Sequence, residues 1–262
     1  MNSLQVHVQG IGLWSPQLAG FDAFRRQLAG ETSSTAQAHP SALALSPNER
    51  RRAPESVLVA IEAASQAVAA SGRTTDNLAC IFASAYGDQA TTDYMCRVLA
   101  RVPTELSPTR FHNSVHNASA GYWTIATGCR APSSAVCAGN ASFGAGLLEA
   151  VVLACADNRP VLLVCSDTAG TGPLGELIGC TRVFGCALVL SPGTTTGLGL
   201  RLSTMTLPAH PSSMTAECRA WMQDNPAAES LPLLAMLATG QGDCRLVASK
   251  HLGLHVQMET NA

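Results

Sequence analysis

The sequence has few charged residues. Of its 262 residues, 13% are Asp, Glu, Lys or Arg, whereas an average soluble domain has about 25%. Two interpretations stay open: part of the surface is buried against a partner, or a compact core rich in Ala and Gly lies beneath a plain surface. The formal net charge of −2 argues against a nucleic-acid partner, which requires a strongly basic surface.

Long hydrophobic runs are also absent. No uninterrupted apolar stretch reaches the ~18 residues of a membrane-spanning helix, and the opening MNSLQVHVQGIGLWSP lacks the basic-then-apolar order of a secretion signal. The ten cysteines form no CxxC pair, and several lie in apolar, strand-like runs. Such cysteines are typical of reduced, buried thiols rather than of disulfides or a zinc site. We therefore predict a cytoplasmic protein with no membrane insertion.

The apolar pattern predicts strands alternating with helices, which is typical of a layered α/β fold. Nearly continuous apolar runs at 160–166 and 183–190 predict central strands covered on both faces. Pro54 and the stop signal Gly72 delimit a helix over 54–71. The other predicted strands are 4–13, 78–85, 133–136, 197–207 and two short ones between 244 and 258, and the other predicted helices are 21–28, 88–101, 117–127, 141–156 and 231–237.

The segment SSAVCAGNASFGAGLLEA, residues 133–150, predicts a strand, a tight turn and a helix. Enzymes expose nucleophiles at such turns, because backbone N–H groups at the start of the helix stabilise a thiolate or an oxyanion. The residue at this turn is Asn140, whose amide cannot act as a nucleophile. Cys137 stands three residues earlier, and its apolar neighbours predict a buried structural thiol.

Two further motifs have plain structural explanations. GTGPLG, residues 170–175, matches the dinucleotide pattern GxGxxG, but Pro173 lies inside it and no room is left for a crossover helix. We predict a loop there and no cofactor. His112 and His116 have no Cys or carboxylate at ligand spacing, so we predict loop histidines and no metal, with Asn117 as the N-cap of the next helix.

Four stretches, taken together, resemble the N-terminal half of the β-ketoacyl-ACP synthase family. They are VHVQGIGLWSP, SPTRFHNSVHNASAGYWTIATGCRAPS, SSAVCAGNASFGAGLLEA, and PVLLVCSDTAGTGPLG followed by VFGCALVL, and they span roughly residues 4–207. The resemblance implies an α/β, thiolase-like fold, N-terminal half only, with a mixed, mostly parallel sheet covered by helices. It implies a ketosynthase-like domain over 1–207 and a C-terminal extension over 208–262, a helix plus β-hairpin packed on the same domain.

Two departures from the family bear on function. Asn140 occupies the position of the family's nucleophilic Cys, so the covalent acyl thioester cannot form. The family's C-terminal half, which carries two histidines, has no counterpart here. The resemblance thus implies a catalytically silent, chain-length-factor type subunit of a fatty-acid, aryl-polyene or polyketide system. Such a subunit forms a heterodimer with a full-length β-ketoacyl-ACP synthase and works with an acyl carrier protein indirectly.

The resemblance also implies roles for individual positions. The strand that pairs across the family's dimer corresponds to Ser133, Ser134, Ala135 and Val136. The positions expected to line an acyl tunnel near the interface are Asn140, Ala141, Phe143 and Gly144. The adjacent arginines Arg50, Arg51 and Arg52 either dock an acyl carrier protein or form a solvated charge cluster.

Two alternative functions stay open. In a malonyl-ACP decarboxylase, the Asn140 amide would hold the thioester carbonyl while CO₂ leaves, and oxyanion-type stabilisation of this kind is worth ~3 kcal/mol. Family members with that activity keep the histidines, however. The other alternative is a homodimeric scaffold that binds no acyl chain. Side chains blocking a tunnel at residues 141–146 would favour the scaffold.

Overall fold

The computed structural model describes residues 3–31, 36–193, 197–207 and 215–259. Its strands are β1 (Leu4–Trp14), β2 (Ala79–Ala83), β3 (Ser133–Val136), β4 (Val161–Asp167), β5 (Phe184–Pro192), β6 (Leu198–Thr206), β7 (Asp243–Val247) and β8 (Leu252–Met258). Its helices are α1 (Phe21–Leu28), α2 (Pro47–Arg52), α3 (Glu55–Ser71), α4 (Gln89–Leu99), α5 (Pro108–His112), α6 (Ala118–Thr127), α7 (Ser142–Asp157), α8 (Gly172–Ile178), α9 (Ala216–Asp224) and α10 (Leu231–Thr239). Turns of 3₁₀ helix cover Pro103–Glu105, Gly139–Ala141 and Pro226–Ser230.

The strands form one mixed sheet in the order β3-β2-β4-β5-β1-β6-β8-β7. Only β2 pairs in parallel, with β3 on one side and β4 on the other, and the remaining pairings are antiparallel. The predicted mixed α/β sheet is therefore confirmed, but the prediction that it is mostly parallel is wrong. The apolar runs β4 and β5 lie in the middle of the sheet and are almost wholly buried, as predicted.

Helices cover the two faces of the sheet unequally. On one face, α3 and α6 bury Ile61, Trp123 and their neighbours against β2, β4 and β5. On the other face, α7, α9, α10 and α1 share a larger core with the same strands and with β1, β6, β7 and β8. The order of the strands leaves β3 at one edge of the sheet and β7 at the other.

Two glycines of β1 allow α3 to approach the sheet closely. A Cβ atom at Gly10 would lie 2.0 Å from the backbone oxygen of Ala67, and one at Gly12 would lie 2.0 Å from that of Ala63. No side chain fits in either space, so the backbone of α3 rests directly on the strand. Helix α3 itself ends as predicted, with Gly72 in the left-handed conformation.

The C-terminal residues extend the sheet. The hairpin of β7 and β8 joins it through β6, and α10 packs on β7 and β8. A helix followed by a hairpin matches the elements predicted for this region, whereas α9 and the turn Pro226–Ser230 were not predicted. The predicted boundary at residue 208 lies in a segment outside the described residues, so the division into a domain and an extension stays a prediction.

Helix α7 and the turn before it, Gly139–Asp157, are long and apolar enough to cross a membrane by length and composition, with a mean hydropathy of 1.4. Half of this segment is buried inside the chain. Its inward residues, including Phe143, Leu147 and Val151, belong to the core on the sheet. This packing is that of a core helix, and the absence of membrane insertion stays a prediction.

Candidate functional site

The strand–turn–helix segment contains Asn140 at its exposed corner. Strand β3 leads into the 3₁₀ turn Gly139–Ala141, and α7 begins at the next residue. The Ser142 hydroxyl braces the turn: it accepts a hydrogen bond from the Ala138 N–H at 2.9 Å and donates one to the Gly139 carbonyl at 2.7 Å. Gly139 adopts a φ of 55°, which favours glycine. The Asn140 amide thus stands at a rigid, solvent-accessible corner.

The buried carboxylate of Asp167, at the end of β4, holds the turn that follows β2. It accepts hydrogen bonds from the Ser84 hydroxyl at 2.8 Å and from the backbone N–H groups of Ala85 at 3.0 Å and Tyr86 at 3.4 Å. Burial raises the pKa of Asp167 to about 6, although these hydrogen bonds oppose the increase. The carboxylate therefore fixes the ends of β2 and β4 beside the corner.

The C-terminal residues reach the same end of the sheet. The Asn225 amide donates hydrogen bonds to the carbonyls of Asp167 at 2.8 Å and Arg182 at 2.9 Å. The turn Pro226–Ser230 then packs against the turn that contains Asn140. Glu229, in this C-terminal turn, is half-buried, and desolvation raises the pKa of its carboxyl group to about 7. Sequence reasoning missed Glu229, because no motif marks it.

Cys137 does not have the environment predicted for it. Its side chain is exposed rather than buried, and its thiol donates to the Ala85 carbonyl at 3.2 Å. The prediction failed because β3 is an edge strand, so apolar neighbours in sequence do not enclose the residue. All ten cysteines are free, and seven are buried as expected: Cys80, Cys129, Cys165, Cys180, Cys186, Cys218 and Cys244.

Three of the four positions expected to line a tunnel are packed inside the chain. Phe143 is 1% exposed in the core, and Ala141 and Gly144 are also buried. A Cβ atom at Gly144 would lie 2.1 Å from the Val247 carbonyl oxygen, because the end of β7 rests on the first turn of α7. A tunnel-lining role for Phe143 and Gly144 does not fit this geometry. Asn140 differs from them because it is exposed.

Strand β3 has an open edge. The carbonyls of Pro132 and Val136 accept hydrogen bonds from β2, at Cys80 and Ser84. Since backbone groups alternate in direction along a strand, the N–H and C=O groups of Ser133 and Ala135 point away from β2. These groups form an unpaired edge that another strand can extend.

Exposed apolar side chains concentrate on the turn after β2 and on α4, α5, α6 and α8, of which α6 packs on β3. Among the described residues, eight of the eleven large exposed apolar side chains lie on the turn after β2 or on the segments of α4, α5, α6 and α8. These eight are Tyr86, Leu99, Val102, Phe111, Val115, Ile125, Leu174 and Leu177. We call this set, together with β3, the edge surface. A concentration of this kind marks an interaction site.

The two histidines have different surroundings: His116 is half-buried and His112 is exposed. His116 contacts the Ser84 carbonyl through Nε2 at 3.0 Å, in the loop between α5 and α6 as predicted. His112 is the last residue of α5 rather than a loop residue, and its ring meets Tyr122 edge-on. Asn117 is the N-cap of α6 by position, but its side chain makes no capping hydrogen bond.

The three arginines lie on the short helix α2, whose N-terminus is capped by a capping box of Ser46 and Glu49. Arg50 donates to the Ser41 carbonyl at 3.1 Å, and Arg51 donates to the Asn48 side chain. The carbonyl of Arg52 accepts a hydrogen bond from Asn113 at 3.2 Å. This contact joins the end of α2 to the end of α5.

The GTGPLG motif is not the predicted loop, because its last four residues begin α8 with Pro173 in the first turn. Its glycines allow close packing on α4. A Cβ atom at Gly170 would lie 2.2 Å from Gln89 Oε1, and one at Gly172 would lie 2.2 Å from Asp93 Oδ1. The glycines thus serve contact between the two segments. The prediction that the motif binds no cofactor stays a prediction.

Comparisons with known proteins agree on one family. The model described as "Beta-ketoacyl synthase, N-terminal domain" matches residues 25–252. Among solved structures, the chain is similar to a chain from the complex of the ketosynthase ApeO with its chain length factor ApeC from Xenorhabdus doucetiae. That match has a TM-score of 0.73 and 23% identity, and covers 97% of this chain and 99% of that one. No curated protein matches the chain in sequence.

Two other structures cover the chain equally well. One is a type II polyketide acyl-carrier protein in complex with its ketosynthase, with a TM-score of 0.71, 12% identity and coverage of 98% and 100%. The other is the ishigamide ketosynthase/chain length factor, with a TM-score of 0.71, 15% identity and the same coverage. The family match and these likenesses confirm the predicted thiolase-like α/β fold.

Proposed function

The chain belongs to the β-ketoacyl synthase family, and we propose that it is a chain-length-factor type subunit that pairs with a full-length ketosynthase. The edge surface is the observation that carries this proposal. An unpaired strand edge on a chain that also exposes large apolar side chains on α4, α5, α6 and α8 fits a large, obligate interface, which typically exceeds about 2,000 Å². Covering this surface also accounts for the low charge content of the chain.

Catalytic silence is the second part of the proposal. Asn140 stands where the family has its nucleophile, and an amide forms no acyl thioester. The C-terminal turn Pro226–Ser230 and the end of β7 pack around the first turn of α7, where Gly144 meets Val247. These contacts pack the backbone of β7 directly against Gly144 on that side of the corner. The chain therefore acts on the product through its partner.

The contribution to the acyl tunnel comes from the edge surface rather than from α7. Phe111 and Val115 are 56% and 51% exposed, and they lie just ahead of α6, the helix that packs on β3. Side chains at these positions contact the acyl product as it grows at the interface. Enlarging Val115 to Trp is expected to shorten the product that the reconstituted pair releases, as measured by mass spectrometry.

An acyl carrier protein reaches the pair from outside, and α2 offers it a docking site. Arg50, Arg51 and Arg52 follow one another on this helix, where an acidic surface can meet them. The related structure that contains an acyl-carrier protein supports a carrier in such assemblies. A double Arg50→Ala/Arg51→Ala variant is expected to weaken carrier binding without changing the affinity for the ketosynthase.

Strand pairing is tested at Ala135, whose N–H points out of the sheet. Ala135→Pro removes that donor and leaves the hydrogen bonds to β2 in place. Ala135→Val is the matched control, since it keeps the N–H and suits a strand. We expect the proline variant to lose co-elution with the ketosynthase encoded nearest to the chain and the valine variant to retain it. Equal binding by both variants would contradict pairing through β3.

A homodimeric scaffold is the second candidate, and the burial of Phe143 favours it. A chain with no acyl tunnel of its own at residues 141–146 does not need to bind a growing product. The same edge surface would then pair two copies of the chain. Product length separates the two functions, because a scaffold leaves the length unchanged when Val115 is enlarged.

A further inference from the structure

Helix α8 lies on the surface of the chain with its leucines turned outward. Leu177 is 84% exposed and Leu174 is also exposed, whereas the buried residue of the helix is Gly175. A surface helix normally turns its apolar side chains toward the core. Helix α8 instead rests on the chain through its backbone, because a Cβ atom at Gly175 would lie 2.5 Å from the carbonyl carbon of Gly170.

The surface beneath α8 is polar. Gln89 and Asp93 stand about one turn apart on α4, and both are buried. Gly170 covers the Gln89 side chain, and Gly172 covers the Asp93 carboxylate. Asp93 keeps an ion pair with Arg97 at 2.8 Å. The contact between α8 and α4 therefore places glycine backbone on polar side chains, with little apolar area buried.

Gln89 is the unfavourable part of this contact. Its side chain is 1% exposed, and neither the nitrogen nor the oxygen of its amide has a hydrogen-bond partner in the described part of the chain. A buried amide without partners loses its hydration and gains no hydrogen bond in return. Native proteins keep few such groups. Movement of α8 away from α4 would let water satisfy both atoms of the amide.

The segment that carries α8 has a fixed base. The N–H of Gly170 donates a hydrogen bond to the carbonyl of Cys180 at 2.9 Å, so the two ends of the segment meet. The N–H of Thr181 donates to the carbonyl of Asp224 at 2.9 Å. This hydrogen bond anchors the base to the end of α9, while α8 itself stands outside the anchored region.

The two ends of α8 contain glycines in the left-handed region. Gly172 has a φ of 65° and Gly179 has a φ of 73°, values that glycine adopts at low cost. Across the described ranges, no side-chain hydrogen bond or ion pair joins residues 171–179 to the rest of the chain. Segments with few buried apolar contacts open locally at low free energy.

We propose that α8 is a hinged lid on α4, which swings about its base between the closed position of this structure and an open position that exposes the Gln89 amide. The inference goes beyond the proposed function and concerns this chain alone. Leu174 and Leu177 belong to the edge surface, so opening moves two of its apolar side chains while the base of the lid stays in place. The lid therefore changes the shape of the edge surface.

The test changes the floor of the lid and leaves the lid itself intact. Gln89→Met removes both amide atoms and keeps an unbranched side chain, and Gln223→Met, at an exposed site on α9, is the matched control. Hydrogen–deuterium exchange of the full chain is followed in the peptide spanning residues 170–180. In the wild type we expect this peptide to exchange at least about tenfold faster than α7. Gln89→Met should slow its exchange about tenfold and raise the melting temperature, whereas Gln223→Met should change neither.

A second variant drives the lid in the opposite direction. Gly175→Ala places a Cβ atom against Gly170, so it should speed exchange at residues 170–180 and leave α4 and α7 protected. Loss of protection in α4 and α7 would instead show that α8 belongs to the core.

Two further results would overturn the inference. Exchange at residues 170–180 as slow as in α7 of the wild type would show that α8 does not open. Unchanged or faster exchange in Gln89→Met would show that the lid does not close on an unsatisfied amide. These measurements involve no ketosynthase, so the lid and the proposed function fail independently of each other.

Discussion

Neutralising Asp167 should change how the stability of the chain depends on pH. This carboxyl group is 1% exposed, and its pKa is raised from 3.8 to about 6, chiefly by burial. The folded state therefore binds a proton more tightly than the unfolded state, and the free energy of unfolding falls as pH rises. The stability that the raised pKa of Asp167 contributes is fully present below pH 3.8 and is lost as pH rises through about 6.

The size of the effect follows from the shift in pKa. A shift of roughly two units corresponds to about 3 kcal/mol between the two protonation states. About 2.5 kcal/mol of this is expected between pH 4 and pH 7, because the unfolded carboxyl group is already partly ionised at pH 4. Asp167→Asn keeps a neutral group of nearly the same shape and removes the titration.

The measurement is urea denaturation of the wild type and Asp167→Asn at intervals between pH 4 and pH 7. The difference in unfolding free energy, wild type minus variant, should fall by about 2.5 kcal/mol across this range. Taking the difference between the two proteins cancels the contributions of groups that titrate in both of them, including Glu229. A difference that stays constant or rises with pH would refute the reasoning, because the hydrogen bonds from Ser84, Ala85 and Tyr86 would then outweigh burial.

Three other substitutions test the packing and the corner. Phe143→Ala should lower the free energy of unfolding by about 3–5 kcal/mol, because its side chain is packed in the core. A loss below about 1 kcal/mol would instead indicate that Phe143 lines an open tunnel. Gly12→Ala should lower the melting temperature sharply, because its Cβ atom would lie 2.0 Å from the Ala63 oxygen; an unchanged value would contradict the close contact of α3 with β1. Asn140→Ala should alter stability by no more than about 0.5 kcal/mol and leave CO₂ release from malonyl-ACP unchanged, whereas reduced release would support the decarboxylase.

Much of the fold was predictable because the spacing of apolar residues along the sequence indicates which segments form buried helices and strands. Helix α1 and strand β3 have the predicted limits, and α3, β4 and β5 differ by a residue or two. Short helices were missed where local signals conflict. Pro173 and three glycines suggested a loop, yet proline is favoured in the first turn of α8.

Strand direction was not predictable from the same pattern. A buried apolar strand has the same sequence character whether its neighbours run parallel or antiparallel. The short connection between β4 and β5, which contains α8, returns the chain antiparallel instead of crossing over. The expectation of a mostly parallel sheet rested on the family resemblance, and the antiparallel pairing of β4 with β5 is one of the pairings that contradict it.

The site was predictable only where it depends on local sequence. Asn140 lies at its expected corner because the strand, turn and helix are contiguous. The environments of Cys137 and Phe143 depend on the open edge of β3 and on the end of β7, which is distant in sequence. Glu229 and the edge surface likewise become visible only when the elements are assembled.

The most direct test of the account is the mass in solution of this chain, expressed alone and with the ketosynthase encoded nearest to it. Light scattering coupled to size exclusion reports both states. We expect a stable one-to-one complex that Ala135→Pro disrupts and Ala135→Val preserves. A well-behaved homodimer that ignores the ketosynthase would contradict it and leave the scaffold as the function.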